Sequence, residues 1–195
     1  MPTRPATGGQ ARGDRTRASI IDETVRCVVE EGLHAASANH IAERAGVTWG
    51  VIQYHFGDRD GLLAAVVDAG FQHLKASVAG IDLPVGDVRG RVGALVDAAW
   101  DAISTPTSQA SFEILIGTRS DRDPKLAQAL DDMARELARL AERLTEGREP
   151  RPAVGRLLWA TLRGLVLVQI WIPEPLDLTV EREALVDLLT LYIDG

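Results

Sequence analysis

The chain has 195 residues, 46% hydrophobic and 25% charged, with one cysteine and a net charge of -7. That length excludes a large multidomain enzyme, and that balance excludes a disordered or fibrous chain. A lone Cys27 excludes an internal disulfide framework and any multi-cysteine zinc or iron–sulfur site, and points to a reducing, cytoplasmic setting. The leading segment MPTRPATGGQARGDR lacks the apolar stretch of a signal peptide, and no uninterrupted run of about 18 apolar residues follows, so no membrane partner is expected. The charge is uneven: residues 1–17 carry Arg4, Arg12, Arg15 and Arg17 against Asp14 alone, and acidity is heaviest in the C-terminal two thirds. A polyanion would have to meet the N-terminal end at a few chosen points.

Residues 1–14, rich in Pro, Gly, Arg and Thr, read as a flexible basic arm. Ile20, Ile21, Val25, Val28 and Val29 then share one helical face, with Gly32 as a stop. Ser37 can cap a short helix to about Ala45, Gly46 allows a left-handed turn, and Thr48 can cap a second short helix to about His55. Two short helices joined by a tight glycine turn form a helix-turn-helix pattern. Asp58 caps a long helix with Leu62, Leu63, Val66, Val67, Phe71, Leu74 and Val78 on one side, ending near Gly80. Pro84 and Gly86 mark a loop, and residues 88–104 and 107–118 follow as two further helices. Asp123 and Pro124 open the clearest pattern, Leu126, Leu130, Met133, Leu137, Leu140 and Leu144, interrupted by Gly147, Pro150 and Pro152. Residues 153–172 and 180–193 make a last pair separated by Pro173 and Pro175. With no strand-like alternation and no internal repeat, the expected fold is all-α with about nine helices.

Chemistry concentrates in IAERAGVTWGVIQYHF, residues 41–56. Ala42 lets two helices approach, Gly46 makes the turn, and Val47, Ile52 and Phe56 anchor the second helix. That leaves Thr48, Trp49, Gly50, Val51 and Gln53 to face outward, where the first turns of such a helix read base edges in a major groove. Gln53 and Asn39 can each hydrogen-bond adenine or stand as solvated amides. Thr48 caps its helix, with or without a phosphate contact. Trp49 either packs on thymine methyls and sugar or covers the neighbouring helix. Gly50, unfavourable by roughly 1 kcal/mol inside a helix, fits if DNA or that helix approaches the backbone closely. With Val51 beside it the reader is poor in donors, which favours methyl and shape readout. The arginines at 12, 15 and 17 offer phosphate or minor-groove contacts, or a solvated tail.

Residues from about 15 to 63 resemble the N-terminal DNA-binding domain of the tetracycline-repressor (TetR) family. The resemblance rests on an initial helix ending in EEGLHAAS, the IAERAGV turn, the YHF ending and the FGDRDGLL start of the next helix. It implies a helix-turn-helix domain over 15–60 and a helical ligand-binding and dimerisation domain over 61–195. It makes Tyr54, His55 and Arg59 phosphate-contacting candidates, with Arg59 where the family commonly has lysine. The implied function is a dimeric repressor that leaves a palindromic double-stranded operator when a small molecule binds.

His73, Trp100, Gln109, Phe112, Glu113, Trp159, Gln169 and Trp171 could line an effector cavity, and equally suit an ordinary core. Dimerisation has a more physical basis, because LLWATLRGLVLVQIWI at 157–172 is apolar over almost its whole circumference. A partner subunit is the simplest cover, with Leu185, Leu188, Leu189 and Tyr192 alongside and Gly155 and Gly164 allowing close packing. An enzyme is not expected. The histidines at 34, 40, 55 and 73 show no metal-ligand spacing, Cys27 reads as core, and no phosphate loop, nucleophile elbow or HExxH motif occurs, so neither metal nor cofactor is expected. The alternative is a DNA-binding adaptor whose helical domain docks a protein and has no effector pocket.

Overall fold

The computed structural model describes residues 7–84, 86–120, 124–145, 151, 153–172, 174 and 176–195. Arg4, Asp123, Gly147, Pro150, Pro152, Pro173 and Pro175 lie outside the described residues, as do the side chains of Leu137 and Leu140. Among the described residues there is no strand. The helices are α1 Thr7–Glu31, α2 Ala38–Arg44, α3 Trp49–Phe56, α4 Arg59–Ala79, α5 Val88–Ile103, α6 Pro106–Gly117, α7 Pro124–Leu144, α8 Ala153–Trp171 and α9 Thr179–Asp194.

Local chemistry sets most of these starts. Ser37 Oγ accepts from the His40 amide at 3.3 Å, Asp58 Oδ1 from Gly61 at 2.7 Å and Asp87 Oδ1 from Gly90 at 2.9 Å. Each satisfies an amide that the first helical turn leaves without a partner. Thr105 caps α6 in the same way, with Pro106 at the first helical position.

The start of α1 differs from the expected arm: residues 7–14 are helical. Ala11, Arg12, Arg15 and Arg17 are good helix formers, and extending an existing helix needs no new nucleus, so Gly9 and Gly13 do not stop it. Arg15 Nε donates to the Ala11 carbonyl at 3.2 Å and the Thr16 hydroxyl to that of Arg12 at 3.0 Å.

Two apolar cores result, and α4 runs through both. The first joins Ile20, Val28, Ile41, Ile52, Phe56, Leu62 and Leu63 from α1–α4, and is completed by Ala110 and Ile114 of α6 and Leu126 of α7. The second gathers the far end of α4 with α5 to α9 around Leu95, Val96, Phe112, Leu158, Leu162 and Leu189. The head therefore borrows α6 from the C-terminal part. The crossing of α4 and α6 is close: a Cβ on Gly70 would lie 2.7 Å from Ser111 Oγ.

By length and composition α8 is long and apolar enough to cross a membrane. In one copy only its Val154, Leu158, Leu162 and Val166 face is buried, and Trp171 is 73% exposed. Gly155 is buried within the chain, so it cannot serve contact with a partner; Gly164 faces open space.

Candidate nucleic-acid interface

The reader unit is α2, the turn at 45–48 and α3. Ile41 and Ile52 are completely buried and Phe56 nearly so, which fixes α3 against α2 and α1. Burying each of these side chains contributes about 1.5–3 kcal/mol. Gly46 carries φ 64° in the turn, a region costly for any residue with a Cβ, and the Val47 amide closes the turn on the Ala42 carbonyl at 2.9 Å.

An ion network staples α2 to α1. Arg44 Nε reaches Glu23 at 2.6 Å and its Nη2 reaches Glu30 at 2.8 Å, while Nη1 pairs with Glu31. Glu23 also pairs with Arg26, and His40 Nε2 lies 2.9 Å from Glu31 Oε2. Hydrogen bonds from His40 and then Arg44 hold the Glu31 carboxyl below the usual carboxylate range, and Glu30 and Glu23 hold the Arg44 guanidinium above its own. This network was not foreseen from the sequence, although three glutamates on α1 opposite one arginine at the end of α2 are its signature.

Asn39, Thr48, Gly50 and Gln53 are exposed, and Trp49 is 37% exposed. Thr48 occupies the cap position of α3, but its hydroxyl makes no capping hydrogen bond; its carbonyl accepts from Val51 and Ile52 instead. Val51 does not face outward as expected: it is half-buried against the first core, because its place on α3 turns it toward the head. A Cβ on Gly50 would meet only Thr48 Oγ1 at 3.7 Å, so no neighbouring helix crowds that backbone.

Tyr54 is 84% exposed and stands edge-on to the half-buried His55, ring centroids 5.0 Å apart. The N-terminal turns of α1 pass beside them, with Gly13 near His55 and the Arg17 guanidinium 5.3 Å from the Phe56 ring centroid. Arg12, Arg15 and Arg17 are exposed on this part of α1. Arg59 is placed differently from its expected role. Its Nε donates to the Ala36 carbonyl at 2.7 Å and its Nη2 to that of Leu33 at 3.2 Å, which leaves Nη1, 3.8 Å from Asp60, and the second Nη2–H for a phosphate.

The C-terminal candidates divide. Trp100, Gln109 and Gln169 line a cavity of about 470 Å³ with Asp177 and Arg182, whose guanidinium lies 5.3 Å from the Trp100 ring centroid. Phe112 is core, 6.2 Å from Trp159 between ring centroids, and His73 and Trp171 are exposed. Glu113 is half-buried; burial pushes its carboxyl up, partly opposed by a hydrogen bond from Gln109. A larger cleft of about 1300 Å³ opens between α4 and α7, lined by Phe71, Leu74 and Met133 and by charged residues including Asp68, Lys75 and Arg135. The sequence offered no sign of it.

The family model described as "Bacterial regulatory proteins, tetR family" matches residues 20–66. The HTH-type transcriptional regulator BetI of Burkholderia mallei is 30% identical over 184 residues, covering 91% of each chain. A transcriptional regulator from Rhodococcus sp. Rha1 superposes with a TM-score of 0.71 at 22% identity, covering 93% of this chain and 95% of its own. The multidrug binding protein EbrR, complexed with imidazole, does so with a TM-score of 0.62 at 25% identity over 88% of each chain. A chain that carries helices and no strand among its described residues, with α3 exposed in this way and relatives of this kind, is a DNA-binding transcription regulator and not an enzyme. It belongs to the tetR family of bacterial regulatory proteins.

Proposed function

We propose that the protein is a homodimeric cytoplasmic repressor that binds a near-palindromic operator and is released by a small molecule. The observation that carries this is the outward face of α8 and α9. Leu157, Trp171, Val180, Leu188 and Leu191 recur at helical spacing on one side and are exposed in a single chain, with Leu188 65% and Leu191 71% exposed. Apolar surface of that extent on two adjacent helices asks for cover, and a second copy supplies a self-complementary four-helix contact. Such a dimer presents two α3 helices, and operator reading requires them about 34–36 Å apart.

Each α3 then offers Trp49, Gly50 and Gln53 to base edges, with Asn39 of α2 beside them and Thr48, Tyr54 and His55 toward the DNA backbone. The Trp49 and Gly50 amides at the start of α3 suit a phosphate. Arg12, Arg15 and Arg17 concentrate positive charge at one end of a chain whose remainder is net acidic. The cavity at Trp100, Gln109 and Gln169 is the effector site this reading favours, in keeping with a relative that holds a small molecule. An effector that fits only one arrangement of the two heads lowers operator affinity by linkage. The adaptor reading has less behind it, since a pocket with convergent polar groups is present.

Sedimentation equilibrium of wild type and Leu188→Glu, with DNA binding measured on the same samples, tests the dimer. A wild-type dimer, a monomeric variant with intact helix content and a large loss of operator affinity support the reading. A monomeric wild type that still binds DNA specifically contradicts it.

A further inference from the structure

Beneath the ion network, α1 and α2 bring together three ligating atoms: Cys27 Sγ, a Glu31 carboxylate oxygen and a His40 ring nitrogen, all within 4.8 Å of one another. We propose that Cys27, Glu31 and His40 form a three-ligand site for a borderline-soft divalent cation of the zinc class, on the seam between α1 and α2.

The distances are close to what such an ion needs. Tetrahedral coordination at about 2.0–2.3 Å from the metal places its ligand atoms about 3.3–3.6 Å apart. His40 Nε2 and Glu31 Oε2, at 2.9 Å, open slightly, and the sulfur, within 4.8 Å of one ligand atom on each, closes by up to about 1.3 Å. Cys27 and Glu31 are one turn apart on the same face of α1. His40 is set by the Ser37 cap, which fixes the first turn of α2.

The carboxylate is already divided for the purpose. Glu31 Oε1 is held by Arg44 while Oε2 faces His40, so Oε2 can ligate without breaking the ion pair. An outer partner of this kind orients a ligand and raises its basicity. Arg44 does not make the site repulsive, because Glu23, Glu30 and Glu31 together outnumber Arg26 and Arg44. The Cys27 side chain is fully buried, whereas those of His40 and Glu31 are 37% and 36% exposed, so an ion enters from the solvent side and keeps a water as its fourth ligand. A thiolate among the ligands selects zinc-like ions over magnesium or calcium. Occupancy ties the first helix of the reader to α1 and stiffens the DNA-binding head.

The test is a titration of reduced, untagged full-length protein with Co²⁺, followed by displacement with Zn²⁺. A thiolate-to-cobalt charge-transfer band saturating at one ion per chain is expected. His40→Ala and Glu31→Gln, both at exposed side chains and checked for unchanged helix content, should each weaken Co²⁺ binding by about tenfold or more. His73→Ala should leave it unchanged. No charge-transfer band at saturating Co²⁺, or a band whose affinity in His40→Ala and Glu31→Gln equals that of the wild type, overturns the assignment.

Discussion

Arg59 donates its Nε–H to the Ala36 carbonyl across 2.7 Å, tying the first turn of α4 to the segment between α1 and α2. A side chain suited by type to a phosphate thus spends two of its five N–H donors inside the head. Arg59→Ala should lower stability by about 1 kcal/mol, the scale of a charge-assisted hydrogen bond discounted for partial exposure. The salt dependence of DNA affinity should keep its slope, whereas loss of a phosphate contact would reduce that slope by about 1. Urea melts and a binding series over salt concentration read the two effects separately.

Gly50 should show opposite effects on folding and binding. Since its backbone has room for a Cβ, Gly50→Ala should stabilise the free protein by about 0.5–1 kcal/mol, the helix-propensity difference. If the DNA approaches that backbone, the same methyl group weakens operator binding. A variant that is more stable and binds as well as wild type would remove Gly50 from the contact surface.

The α4–α6 crossing is intolerant of volume. Gly70→Ala should cost about 1–3 kcal/mol through overpacking against Ser111, whose hydroxyl is held by the Thr107 carbonyl at 2.7 Å. Adding Ser111→Ala removes the crowding oxygen and should recover most of the loss in thermal unfolding. Equal destabilisation in the single and double variants would show that the crossing had relaxed elsewhere.

Glu113 sets a pH dependence of known sign. Its carboxyl is raised in the folded protein, chiefly by burial, so the folded state holds that proton more tightly than the unfolded chain. The resulting stability is full below the unfolded value and is lost as pH rises through the folded one. Unfolding midpoints should therefore show a contribution that falls with rising pH on the acid side, and Glu113→Gln should lack it. Glu31 acts in the other direction: its lowered carboxyl contributes stability that is lost as pH falls through its folded value.

Helical periodicity and capping residues made the helices readable to within a few residues, because both act locally. Ser37 and Asp58 cap as their types suggest, while the Thr48 hydroxyl does not. The early start of α1 was hidden by its glycines, whose local preference is outweighed once a long helix is nucleated. What the sequence could not show were the pairings between distant segments. Arg59 with Ala36, Gly70 with Ser111 and His40 with Glu31 each depend on how helices cross. The exposure of Asn39, Thr48, Trp49, Gly50 and Gln53 was legible because a turn and two short helices fix it, whereas Val51 is half-buried because its direction depends on the angle at which α3 meets the core. The cavity residues were the least legible, since Phe112 and Trp100 have similar character and only packing separates core from lining.

The central claim, that α3 reads operator sequence, is tested most directly by selecting bound duplexes from a randomised library with wild type and Gln53→Ala. Enrichment of a two-fold symmetric sequence, with preference relaxed in Gln53→Ala at one base pair in each half-site, is the predicted result. Retention that is weak, equal for all sequences and unaffected by Gln53→Ala would contradict it.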